Sequence, residues 1–147
     1  MQRIIEFVLN HYVYVLALAV VIYLLVQELL DAAFNKSSAI SPLLAVAKMN
    51  DDSVTIIDVR EPDMFIKGHI EGAISKPLSA LASQLTSLDK YKKTTILTVC
   101  QNGTRSASAG KLLTKSGFEN ILVITGGMDA WQEDYKLPIK TISKYKG

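Results

Sequence analysis

Between Glu6 and Glu28 the chain carries no Lys, Arg, Asp or Glu, and from Tyr12 to Val26 every residue is apolar or aromatic. Nothing else in the sequence restricts the fold as strongly. A helix lying on a soluble domain keeps one polar face for water, and this segment has none. A bilayer core of about 30 Å needs roughly 20 helical residues, a length that Phe7 to Gln27 meets. Tyr12, Tyr14 and Tyr23 lie toward the two ends, where amphipathic rings favour the membrane interface, and His11 marks the same boundary. A cleaved signal peptide is the competing reading; it needs a basic start and a small-residue cleavage site. Here Arg3 is opposed by Glu6, and the residues before Phe34 are Leu30-Asp31-Ala32-Ala33. Residues 1–34 therefore read as a transmembrane helix with its flanks. Arg3 alone precedes the helix, whereas Lys36 and Lys48 follow it, which places the remainder of the chain on the cytoplasmic side.

That remainder, about 110 residues, suffices for one modest hydrophobic core. A 49% hydrophobic and 20% charged chain of 147 residues fits a folded domain with an added apolar segment. A net charge of +2 gives no nucleic-acid signature. Lys136, Lys140, Lys144 and Lys146 crowd the C-terminal end, and residues 141–147 read as a basic tail. This tail is either a solvated end or a weak attraction to anionic headgroups, worth about 1 kcal/mol per Lys near the surface. Cys100 is the single cysteine. It can form no intramolecular disulfide and no Cys-rich metal site, and a lone thiol suits a reducing compartment. No His/Cys cluster and no phosphate loop ending in Gly-Lys-Ser/Thr is present, so neither a metal nor another cofactor is expected.

Residues 35–40 read as a short polar linker. Ser41-Pro42 then starts a helix to about Met49, with Ser as cap and Pro at the first helical position. The β-branched run Val54–Val59 is a buried strand. Pro62–Lys67 is a short helix stopped by Gly68, Ala73–Ser75 a short strand, and Leu78–Leu88 one or two helical turns. Thr94–Val99 is a second clear strand, Ser106–Ser116 a helix closed by Gly117, Asn120–Ile124 a third strand, and Met128–Glu133 a last short helix. Strands alternating with helices argue for an α/β domain over residues 41–140, with a mostly parallel sheet covered by helices on both faces. Ligands bind outside the carboxyl ends of the strands in such folds, and Cys100 ends the Thr94–Val99 strand.

The segment Cys100-Gln101-Asn102-Gly103-Thr104-Arg105-Ser106 turns from that strand into a helix. Such a turn can aim main-chain N–H groups inward as an anion nest, and the helix adds the partial positive charge of its N-terminus. Arg105 brings a permanent cation. Together these favour the thiolate, the reactive form of cysteine, and Gly103 lets the backbone turn sharply. The plainer alternative is a buried structural cysteine at a strand end.

Cys100 followed by four residues and Arg105 resembles the active-site loop of rhodanese domains. Asp58-Val59-Arg60-Glu61-Pro62-Asp63-Met64-Phe65, continuing through Gly68-His69-Ile70-Glu71-Gly72-Ala73-Ile74 to Pro77, resembles that family's first signature. Gly126-Gly127-Met128-Asp129-Ala130-Trp131 resembles its C-terminal signature. With the apolar N-terminus added, the whole chain is similar to membrane-anchored, YibN-type rhodanese-like proteins of bacterial inner membranes. The resemblance implies a doubly wound, rhodanese-like α/β fold and a two-step sulfur transfer. Cys100 takes sulfane sulfur from a donor, thiosulfate or a persulfide carrier, becomes a persulfide, and passes the sulfur to a thiol or other nucleophile. Cys100 and Arg105 are then the catalytic pair, and the amides of Gln101, Asn102, Gly103 and Thr104 cradle the transferred group. Asp58 and Arg60 position the loop, or form a purely structural ion pair. Many active relatives carry a basic residue where this chain has Gln101, which makes a persulfide carrier as good a candidate donor as thiosulfate.

His69 reads as a structural hydrogen-bonding residue and Trp131 as core. Cysteine phosphatases and arsenate reductases use a longer loop between Cys and Arg, and no Asp stands out as a proton donor to a leaving group. The alternative from another class is a membrane-tethered interaction module with little or no catalysis, recruiting a membrane protein such as translocation or insertion machinery.

Overall fold

The computed structural model describes residues 1–34, 37–51 and 53–142. The chain divides into two compact units, Met1–Asn35 and Lys36–Gly147. The first holds helices α1 (Gln2–Asn10) and α2 (Tyr12–Phe34). Within α2, the 19 residues Tyr12–Leu30 form one helix long and apolar enough to cross a membrane. The sequence predicts one continuous helix over Phe7–Gln27. Instead, the polar pair Asn10-His11 interrupts it: His11 leaves helical geometry at φ −127°, and the apolar helix starts at Tyr12.

The second unit is a five-stranded sheet with strand order β1-β5-β4-β2-β3. The strands are β1 (Ser37–Ile40), β2 (Val54–Asp58), β3 (Ile74–Ser75), β4 (Thr95–Val99) and β5 (Asn120–Ile124), and each neighbouring pair is parallel. Between them lie α3 (Pro42–Met49), α4 (Pro62–Lys67), α5 (Leu78–Leu81) with a 3₁₀ stretch Ala82–Tyr91, α6 (Thr104–Lys115), and α7 (Gly127–Asp129), which widens into a π-turn over Ala130–Asp134. Ser41 caps α3 by accepting the Leu44 amide at 3.4 Å, with Pro42 at the first turn.

Successive residues of a strand face opposite sides of a sheet, and both sides of this one are covered. Ile57 and Ile96 join Leu113, Leu88 and Phe118 on one face. Ile56 and Leu97 join Ile124, Met128 and Trp131 on the other. Trp131 is core, as expected, and donates its indole N–H to the Pro138 carbonyl at 3.0 Å. His69 is buried, stacks on Phe65 and bonds the Phe65 carbonyl through Nδ1 at 2.8 Å.

Two boundaries differ from the sequence reading. Ser37–Ile40, expected as linker, is the edge strand β1, paired residue by residue with Ile121–Ile124. Its side chains give no strand pattern, since only Ile40 is buried; main-chain pairing with β5 holds it, and the missing side chain of Gly110 lets α6 close over Ser37. Residues 35 and 36 of that linker lie outside the described residues. The C-terminal segment is also tied down further than expected. His69 and Lys140 exchange main-chain hydrogen bonds at 2.8 Å each, and the Ile142 amide reaches the Ile66 carbonyl at 3.0 Å. Lys140 pairs with Glu71. Lys144 and Lys146 of the basic tail lie outside the described residues.

Candidate functional site

β2 and β4 are neighbours at the centre of the sheet, but the chain leaves them in opposite directions: β2 leads toward β3 at one edge, β4 toward β5 on the other side. The crevice between their carboxyl ends is the switch point where open parallel sheets bind ligands. The register pairs Asp58 with Val99, and the Val59 amide bonds the Val99 carbonyl at 2.9 Å. Cys100 follows directly.

The loop from Cys100 closes on its own sulfur. The Gly103 amide donates to Cys100 Sγ at 3.1 Å, and Sγ lies 3.4 Å from the Ser106 hydroxyl oxygen. That hydroxyl in turn donates to the Gly103 carbonyl at 2.9 Å. Gly103 reaches this position with φ +98°, a backbone region that costs an L side chain about 1–2 kcal/mol. The Asn102 side chain accepts the Thr104 amide at 3.1 Å, so this one amide of the expected cradle is engaged. Among the described residues the amides of Gln101, Asn102, Arg105 and Ser106 have no protein acceptor. Two of them, Arg105 and Ser106, are free donors of the first turn of α6, the groups that make a helix start attract anions.

Asp58 and Arg60 brace the loop from the β2 side. Both are buried, at 0% and 3% exposure, and joined by Nη2–Oδ2 at 2.6 Å and by Nε contacts at 3.0 and 3.1 Å. Arg60 also donates to the Gly68 carbonyl at 2.6 Å and, through Nη1, to Gln101 Oε1 at 3.2 Å. The Gln101 side-chain amide donates to Asp129, so Gln101 is gripped between Arg60 and α7. The Met128 and Asp129 amides bond the Cys100 and Gln101 carbonyls at 2.8 and 2.9 Å. Gly127, at φ +58°, lies against the same two carbonyls, and a Cβ there would overlap both oxygens.

Asp58, Arg60, Cys100, Gln101, Asn102, Gly103 and Thr104 thus gather at one crevice. Arg105 stands on the outer side of the first turn of α6, exposed and without a hydrogen bond or ion pair among the described residues. Cys100 itself is fully covered. The sequence reading missed Ser106, Gly127, Met128 and Asp129. The last three fall inside the Gly126–Trp131 motif, whose proximity to the cysteine loop no spacing reveals; Ser106 carried no signal.

A parallel α/β domain with a cysteine-nucleated loop at its switch point, braced by a buried Asp–Arg pair, is the class of protein this geometry defines. Residues 41–134 match the Rhodanese-like domain, and the chain belongs to that family. The YibN protein of Escherichia coli (strain K12) is 27% identical over 132 residues, covering 89% of this chain and 92% of that protein. That alignment is longer than Lys36–Gly147, so it extends into the N-terminal helical region. The thiosulfate sulfurtransferase GlpE of Pseudomonas entomophila is 33% identical over 96 residues, 65% of this chain and 85% of that protein. Among solved structures, the polysulfide-sulfur transferase homodimer of Wolinella succinogenes superposes with a TM-score of 0.63 at 26% identity, covering 83% of this chain and 92% of that one. A rhodanese-related protein from Thermoplasma volcanium gives a TM-score of 0.62 at 28% identity, covering 70% and 97%.

Proposed function

We propose that this chain is a membrane-anchored, single-domain sulfurtransferase that carries sulfane sulfur as a Cys100 persulfide on the cytoplasmic side of a bacterial inner membrane. The observation that carries the proposal is the Gly103 amide directed at Cys100 Sγ at 3.1 Å, inside a turn whose other amides are largely unpaired. Such donors stabilise a thiolate, and after transfer the terminal persulfide sulfur, without a buried countercharge. Relatives named as thiosulfate sulfurtransferases and a polysulfide-sulfur transferase support the same chemistry.

In the first half-reaction the Cys100 thiolate attacks the outer sulfur of the donor. With thiosulfate the donor S–S bond breaks, sulfite leaves with the electron pair, and a new S–S bond forms at Cys100. In the second, an acceptor thiolate attacks the outer sulfur and Cys100 leaves as thiolate, so no external oxidant or reductant is consumed. Arg105 supplies positive charge at the rim, and the amides of Gln101, Asn102 and Gly103 hold the transferred group. Asp58 and Arg60 keep the loop in register without touching substrate. The Tyr12–Leu30 helix holds the domain at the bilayer, so that its donors, acceptors or protein partners are those found there.

A second reading, a tethered interaction module with little catalysis, is favoured by the burial of Cys100. The full-length protein in detergent, incubated with thiosulfate or with an alkyl persulfide, separates the two. Mass spectrometry should find one added sulfur atom on Cys100, absent from Cys100→Ser. A folded protein that takes up sulfur from neither donor would leave the interaction module as the function.

A further inference from the structure

Beside the cysteine loop stands a carboxylate that forms no ion pair among the described residues. Asp129 is the last residue of α7, half-buried, with its main-chain amide on the Gln101 carbonyl at 2.9 Å and its carboxylate accepting from the Gln101 side chain. The salt bridges among the described residues are Arg60–Asp58, Lys92–Asp89 and Lys140–Glu71, and Asp129 is in none of them. Its partner Gln101 is neutral and cannot turn elsewhere, because Arg60 donates to its carbonyl oxygen at 3.2 Å. Arg60 brings no net positive charge, being cancelled by buried Asp58. The other cations near the loop are Arg105 on its first helical turn and Lys67, which lines the cavity beside Gln101; both are exposed to solvent and therefore screened. Gln101 is thus an uncharged clasp, and behind it stands a carboxylate outside any ion pair among the described residues.

We infer that Asp129 is a specificity-determining residue that biases Cys100 toward sulfur donors of low negative charge, such as monoanionic persulfides or thiosulfonates, and against dianionic ones such as thiosulfate. The inference rests on the sulfurtransferase reading and narrows it. The physical cause is Coulomb repulsion: a fixed carboxylate acts twice as strongly on a dianion as on a monoanion at the same place. Hydrogen bonding by the loop amides is common to both donors and does not discriminate between them.

The test compares thiosulfate with methanethiosulfonate, which presents the same sulfane sulfur on a sulfonyl group with one charge fewer. Full-length protein in detergent is assayed with each donor and a common acceptor thiol, for wild type and for Asp129→Asn, Asp129→Ser and Asp129→Glu. Asp129→Asn keeps an oxygen for the Gln101 amide and removes the charge. It should raise the ratio of kcat/KM for thiosulfate to that for methanethiosulfonate by about threefold or more, the size expected of one unit charge several ångströms away at a partly exposed site. Asp129→Ser should shift the ratio the same way, and Asp129→Glu should leave it near the wild-type value. A ratio unchanged in both neutral variants, with the two donors slowed equally or not at all, would overturn the inference while leaving sulfur transfer intact. Failure of folded wild type to accept sulfur from either of these donors or from an alkyl persulfide would instead remove the sulfurtransferase reading itself.

Discussion

At the scale of single residues, the site depends on contacts that small changes break. Gly127 fits against the Cys100 and Gln101 carbonyls only because it lacks a Cβ, and it holds φ +58°. Gly127→Ala should destabilise the domain by at least about 2 kcal/mol, from steric overlap and left-handed backbone strain together, and should suppress Cys100 persulfide formation. Denaturant titration and mass spectrometry of the same sample would show both effects. The Asp58–Arg60 pair makes a second residue-scale case. Removing one partner leaves the other charge buried, at a cost of about 3–5 kcal/mol. Arg60→Met should therefore be much less stable than wild type, and adding Asp58→Asn should recover part of the loss. A double variant no more stable than Arg60→Met alone would mean that the contacts of Arg60 with Gly68 and Gln101, not its charge, carry its contribution.

At the scale of elements, the edge strand β1 depends on how closely α6 approaches it. A Cβ at Gly110 would lie 3.2 Å from the Ser37 Cβ and 3.3 Å from a Val123 methyl group, tighter than ordinary packing. Gly110→Val should push α6 away from β1 and β5 and cost roughly 1–3 kcal/mol by thermal unfolding, with faster hydrogen exchange at the main-chain amides that join β1 to β5. Equal exchange in both proteins would show that β1 is held by its ladder to β5 alone. This strand was illegible in the sequence for the same reason. Ser37-Ser38-Ala39-Ile40 has one buried side chain, and strand formation there follows from pairing with residues more than eighty positions away. By contrast, Val54–Asp58, Thr95–Val99 and Asn120–Ile124 announce themselves through apolar runs, and Ser41-Pro42 marks the start of α3.

At the scale of the whole molecule, the Tyr12–Leu30 helix is long and apolar enough to cross a membrane, which makes the proposed anchoring directly testable. The protein should remain with membranes after alkaline extraction. Val20→Arg, at the middle of the apolar run, should release a large fraction, since a central Arg disfavours insertion by about 2.5–3.5 kcal/mol. For orientation, a cysteine placed at exposed Glu133 in the Cys100→Ser background should escape a membrane-impermeant thiol reagent in intact cells and react after lysis. Labelling in intact cells would put the domain on the other side.

Local chemistry in the sequence was enough to determine the apolar helix, the α/β alternation and the place of Cys100 at a strand end before a turn. Hydropathy, β-branched runs and a Cys before a Gly-containing turn act through neighbours in the chain, so they can be read along it. Only the folded chain decided that Gly127, Met128 and Asp129 close over the Cys100 loop, that Ser106 faces the sulfur, and that Gln101 turns sideways between Arg60 and Asp129. Those contacts join segments tens of residues apart, and the parallel order of β2, β4 and β5 sets which of them meet. The electrostatics of the site comes from that meeting and from no single stretch of sequence.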